Sequence, residues 1–178
     1  PWALCLAPVI PLAINYQRAD QSDNRLVERY TGEILRSVAA DAIILSYQWD
    51  YFCSPLYYLQ LVENRRPDVT MIEVQLLRRS WYLTQLEKNH PDIMRGSEQE
   101  LAAYRRELHT FESGLPYDPA VIQSRYIGLI NAVIARALPR RPIYVTCEME
   151  PEIGAGLQRV PEGLVFRLYP AGAGYVPF

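Results

Sequence analysis

The side chains able to do chemistry gather in three short segments. Gln48-Trp49-Asp50-Tyr51 sets an amide, two aromatic rings and a carboxylate in a row, Arg78-Arg79 offers guanidinium groups, and Glu148, Glu150 and Glu152 alternate with Met149 and Pro151. An aromatic ring beside a carboxylate suits a sugar, because the ring face covers the apolar side of a pyranose while the acid accepts its hydroxyl hydrogen bonds. The candidate ligand contacts are therefore Gln48, Trp49, Asp50, Tyr51, Arg78 and Glu148. Each has a plainer reading beside it: Asp50 as a helix cap, Trp49 and Tyr51 as packing at a sheet edge, the glutamates as a solvated loop. Three carboxylates on one side of an extended stretch would also suit a divalent cation, but oxygen ligands from a single short segment seldom complete such a site, and no metal is assigned. Two carboxylates can share acid and base work in glycoside hydrolysis, yet nothing in the spacing sets Asp50 opposite Glu148, so no catalytic residue is assigned either.

The motif search narrows the function by what it fails to find. The P-loop, the dinucleotide G-x-G-x-x-G, the G-x-S-x-G elbow and H-E-x-x-H do not occur, and no cofactor is expected. Gly154-Ala155-Gly156 lacks the third glycine of a nucleotide loop and reads as surface. Cys5, Cys53 and Cys147 lie far apart, and His90 and His109 are isolated, so neither zinc nor a disulfide framework is signalled. A net charge of -2 over 178 residues removes the electrostatic reason to expect nucleic acid, and the pairs Arg65-Arg66, Arg78-Arg79, Arg105-Arg106 and Arg140-Arg141 read as solvated surface.

The elements that must position these residues follow from periodicity. Leu26, Val27, Tyr30, Ile34, Leu35 and Val38 recur on one face of a helix, with Ser22 as its candidate cap. Ala42 to Tyr47 is a short apolar run fitting a strand buried on both faces. A helix then starts near Ser54-Pro55, capped by Asp50 or Ser54, and a second strand is centred on Val69 to Val74. Ser80 opens an aromatic-rich helix, Ser97-Glu98-Gln99-Glu100 has the capping-box pattern of another, and Asp118-Pro119 opens a third running to Pro139. Pro142 to Cys147 and Leu164 to Tyr169 read as the remaining strands, and Pro170 to Phe178 as a loop. Strands separated by helices predict an α/β fold: a mostly parallel sheet of about four strands with helices on both faces, a Rossmann-like three-layer arrangement. In such a sheet, ligands sit beyond the carboxyl ends of the strands, where the candidate residues fall.

Residues 1–14 are almost wholly apolar but carry Pro1, Pro8 and Pro11 and are shorter than the roughly 20 residues a membrane-spanning helix needs. They have neither the charged start nor the cleavage site of a signal peptide. The expectation is an apolar tail leading from an upstream membrane segment, followed by a single soluble domain over residues 15–178.

Several stretches also carry a likeness. Asn15-Tyr16, Asp20-Gln21-Ser22, Ala42-Ile43-Ile44-Leu45, the phrase from Tyr57-Tyr58-Leu59-Gln60-Leu61-Val62-Glu63 to Arg66-Pro67-Asp68-Val69, and Leu76-Leu77 with Ser80-Trp81-Tyr82-Leu83 resemble the region that follows the membrane spans in a family of multi-span membrane glycosyltransferases of the protein O-mannosyltransferase kind. Arg141 to Thr146 and Val160 to Leu164 look like later pieces of that region. The resemblance implies that the catalytic acid lies in the membrane part, so that no residue of this chain inherits a catalytic role. Members of the family it resembles often carry a glycine- and Asp/Asn-rich loop after the first strand, where only Asp50 of Tyr47-Gln48-Trp49-Asp50 keeps the acidic character.

The expectation is thus a non-catalytic, extracytoplasmic accessory domain of a membrane-anchored transferase, which binds or positions an acceptor or packs on the membrane part. Its expected partners are the upstream membrane domain, a protein or glycan acceptor, and a second copy of the chain paired through the apolar tail. The alternative is an independent carbohydrate-binding or carbohydrate-active domain with a pocket at the strand ends.

Overall fold

A computed structural model describes residues 8–172. Trp2 and Cys5 of the apolar tail, and residues 173–178 of the expected terminal loop, lie outside the described residues. Helix α1, Val9–Ala19, runs across the tail boundary expected at residue 14, and Asp20 and Asn24 then order the short connection to α2, Leu26–Ser37. Strand β1, Ile43–Ser46, leads through a wide turn, Trp49–Cys53, into α3, Ser54–Leu61. Strand β2, Thr70–Glu73, is followed by a tight turn at Gln75–Arg78, α4 at Ser80–Asn89, the short α5 at Pro91–Met94, α6 at Glu98–Glu112 and α7 at Pro119–Ala137. The chain closes with β3, Ile143–Val145, β4, Leu157–Glu162, and β5, Val165–Pro170.

The sheet corrects the expected fold. It has five strands in the order β2-β1-β3-β5-β4, with β1 parallel to β2 and β3, but β5 antiparallel to both β3 and β4. It is a mixed sheet, not the mostly parallel, Rossmann-like sheet of four strands. The cause is the connection between β4 and β5: Glu162 pairs with Val165 across Gly163-Leu164, and so short a turn can only reverse the chain. Gly163 sits at φ 64°, and a Cβ there would stand 2.7 Å from the Cβ of Ser37, so both the backbone and the space call for glycine. Strand β4 itself was not expected, because Pro161 and three polar residues interrupt its apolar pattern. As an edge strand it tolerates a proline.

The parallel strands are buried on both faces, which accounts for their continuous apolar runs. Ile43, Leu45, Ile72, Val74, Ile143 and Val145 face a core shared with α4 to α7. The alternate residues Ile44, Met71 and Tyr144 face a smaller core with Ile34 and Leu35 of α2 and Leu56 and Leu59 of α3. The amino ends of the strands are tied by arginines expected to be solvated surface. Arg141 donates to the carbonyls of Asp41, Ala42 and Asp68 and to Thr70 Oγ1, and Arg66 reaches the carbonyls of Leu35, Val38 and Ala39 while pairing with Asp68.

Local caps divide in the same way. Asp118 accepts from the Ala120 amide at 2.8 Å ahead of Pro119, as its position predicts. Neither Asp50 nor Ser54 caps α3, which continues straight from the wide turn, and Ser22 does not cap α2, whose first turn follows Arg25. The Ser97 box does not form: its hydroxyl is buried without a partner among the described residues, Glu98 accepts from the Gly96 amide, and Glu100 pairs with Arg136 of α7.

Candidate functional site

The carboxyl ends of β1, β2 and β3 present a row of buried polar residues: Ser46, Glu73 and Thr146. Ser46 pairs in register with Glu73, and its hydroxyl lies 3.3 Å from that of Thr146 while accepting from the Gln48 amide at 3.0 Å. The Glu73 carboxylate accepts from the Gln75 and Leu76 amides, and the Glu73 amide donates to the Tyr82 hydroxyl at 3.0 Å. Burial raises the pKa of Glu73, with the two backbone donors working against that rise. Burial also lifts the Cys53 thiol to about 12, so this cysteine is inert packing.

Beyond Ser46 the chain splits its chemistry between the two faces of the sheet. Tyr47 goes one way: its hydroxyl lies 3.3 Å from that of Tyr126, which donates to the Val74 carbonyl at 2.9 Å. The Arg78 guanidinium lies 4.0 Å above the Tyr126 ring and donates to Gln123 at 3.0 Å. Burial raises the Tyr47 pKa, and the nearby Glu150 adds to it. One Glu150 carboxylate oxygen is buried there without a hydrogen-bond partner among the described residues.

Gln48 goes the other way. Its side-chain carbonyl accepts from the Tyr30 hydroxyl at 2.6 Å, and its amide approaches the Cys147 sulfur at 3.7 Å. Tyr30 is raised in pKa chiefly by burial, with Cys147 and Glu148 as acidic neighbours. The backbone carbonyl of Gln48 accepts from Phe52 and Cys53, the second bond spanning five residues, and this widens the turn and carries Trp49, Asp50 and Tyr51 outward. All three are exposed. Trp49 leans on Tyr57 with ring centroids 6.3 Å apart, and the Asp50 carboxylate has no hydrogen bond or ion pair to any described residue.

The expected ligand residues therefore do not meet in one pocket. Gln48 and Glu148 flank Tyr30, Arg78 lies on the opposite face with Tyr126, and Trp49, Asp50 and Tyr51 cover the outside of the turn. Residues 147–156 form successive turns, not the extended stretch that would set Glu148, Glu150 and Glu152 on one side. Tyr30, Tyr47, Tyr126 and Glu73 are the strand-end groups that sequence reasoning passed over, while Glu150 was named there only as part of a solvated loop. Tyr30 and Tyr126 were hidden in apolar helix patterns, whereas Glu73, an acid inside the run Met71-Ile72-Glu73-Val74, was a visible signal.

A separate groove of about 390 Å³ lies along β2, which forms one edge of the sheet, between Tyr57, Gln60 and Leu61 of α3 and Tyr82, Gln85 and Asn89 of α4. Apart from the groove, Val9, Ile10, Leu12, Ile14 and Tyr16 of α1 are each more than half exposed, and α1 buries no residue. No helix among the described residues is long and apolar enough to cross a membrane.

Residues 27–95, from α2 through α5, match the family model of TMEM260-associated domain 2. Over 79 residues the chain is 32% identical to the protein O-mannosyl-transferase TMEM260 of Mus musculus, a stretch that covers 44% of this chain and 11% of the mouse protein. No solved structure matches. Residues 27–95 are thus similar to a domain associated with an O-mannosyltransferase-like family, and the likeness spans less than half of this chain and a small part of that relative.

Proposed function

We propose that this chain is the non-catalytic, extracytoplasmic accessory domain of a membrane-anchored glycosyltransferase, positioning an acceptor or packing on the membrane part. The observation that carries the reading is the match over residues 27–95 to a domain that accompanies an O-mannosyltransferase. Two features of the molecule support it. The strand-end tyrosines and Glu73 are held in internal hydrogen bonds that stabilise the fold, and the carboxylate of Asp50, an exposed acid there, has no partner among the described residues. The apolar side chains of α1 are uncovered, and burying each against lipid or a membrane helix would gain on the order of 1 kcal/mol.

Protease digestion of sealed vesicles or intact cells carrying the complete reading frame tests the location. Cleavage of this domain without lysis is expected, and protection until lysis overturns the extracytoplasmic part. Sequencing that frame tests the anchoring: several hydrophobic spans upstream of Pro1 are expected, and their absence returns the strand-end region to the fore as an independent carbohydrate-active site.

A further inference from the structure

We propose that the groove along the free edge of β2 is a binding site for an extended polypeptide segment, held by the backbone of Met71. In a parallel strand alternate residues turn their N–H and C=O groups to opposite sides. The Thr70 and Val74 amides donate to Ala42 and Ser46 in β1, so the backbone groups of Val69, Met71 and Glu73 face outward from the sheet. The protein covers the two flanking positions itself: Gln60 Nε2 donates to the Val69 carbonyl at 2.7 Å, and the Tyr82 hydroxyl accepts from the Glu73 amide at 3.0 Å. Between them the N–H and C=O of Met71 have no partner among the described residues and face the groove.

A donor and an acceptor on one residue, at the spacing of an extended chain, are matched by the C=O and N–H of one residue in another extended chain. The walls fit the same occupant. Leu61 and Leu86 supply apolar contact, while Gln85 and Asn89 of α4 offer side-chain amides at the rim. Because the flanking groups are already satisfied, the strand cannot be extended along its whole length. The site takes a short segment and does not template open-ended sheet growth. Every residue of the groove lies within the stretch matched by the TMEM260-associated family model. The inference deepens the accessory reading by making the acceptor a polypeptide and rests on that reading only for this identity. Peptide binding itself is measurable without any transfer reaction, so the two can fail separately.

The test is amide NMR of residues 1–178 titrated with a panel of end-blocked hexapeptides alternating Thr with Val, Leu or Tyr. Binding is expected to shift the Met71 amide and slow its hydrogen exchange at least about tenfold. Methylating alternate backbone nitrogens of the peptide is expected to abolish this. Gln85→Trp, on the exposed side of α4, should weaken binding by about tenfold or more, a loss near 1.4 kcal/mol, without unfolding the domain. Silence of the Met71 amide across the panel overturns the proposal. So does equal binding of the methylated peptides, or displacement of the same signals by mannopentaose alone.

Discussion

Two regions of the molecule invert the usual distribution of side chains, in opposite senses. At the carboxyl ends of β1 to β3, polar groups are buried: Ser46 and Thr146 are fully enclosed and Glu73 is 2% exposed. In α1, apolar groups are out: Leu12 is 65% and Ile14 71% exposed. A buried polar group is tolerated when its hydrogen bonds are made, and here backbone amides, Tyr82 and neighbouring hydroxyls make them. An exposed apolar stripe has no such remedy among the described residues, and on the reading proposed above its cover is the membrane part. The strand ends therefore look like structure, and the helix like a contact surface, the reverse of what the chemical types of their residues suggest.

The largest expected effect lies in the buried region. Tyr126 is fully buried, bonds the Val74 carbonyl, meets Tyr104 at 5.9 Å between ring centroids and lies beneath Arg78. Tyr126→Ala is expected to lower stability by about 3–5 kcal/mol in urea denaturation. Tyr126→Phe, which loses only the hydroxyl, should lower it by about 1–3 kcal/mol. A loss below 1 kcal/mol for the alanine variant would show that the strand ends are not structural.

Glu73 sharpens the same point through pH. Its folded pKa is raised, chiefly by burial, so the native state holds the proton more readily than the unfolded chain. Its contribution is most favourable below the unfolded carboxylate pKa and is lost as pH rises through the folded value. Wild type should thus lose stability relative to Glu73→Gln as pH rises above the unfolded carboxylate pKa of about 4. A difference that stays flat over that rise contradicts the burial account.

Leu12→Ser with Ile14→Ser is expected to change stability by no more than about 0.5 kcal/mol, since neither side chain is packed. The same pair should reduce association with phosphatidylcholine vesicles in a flotation assay; a large stability loss with unchanged flotation would make α1 part of the fold. Asp50→Asn should give the smallest effect, within about 0.5 kcal/mol, because the carboxylate has no partner among the described residues. A larger change would reveal a role in the turn.

The parallel half of the sheet was legible because burial on both faces leaves continuous apolar runs, as in Ile43-Ile44-Leu45 and Ile143-Tyr144-Val145. In the antiparallel half β5 was legible, at Leu164 to Tyr169, but β4 was not, because it is an edge strand whose one buried side chain is Val160, and the sign of reversal lay in Gly163-Leu164. The ligand residues were chosen from adjacency in sequence. Consecutive residues at a strand end point to opposite faces, so Tyr47 and Gln48 reach different partners, and Trp49 to Tyr51 are swung outward by the wide turn. The free edge of β2 was out of reach altogether, since strand order is set by tertiary contacts.

The most direct measurement is sugar transfer from a lipid-linked donor to a polypeptide acceptor, run side by side on membranes carrying the complete gene product and on residues 1–178 alone. An accessory domain predicts transfer by the membranes and none by the isolated chain. Transfer by residues 1–178 alone would contradict the account and place the chemistry in this domain.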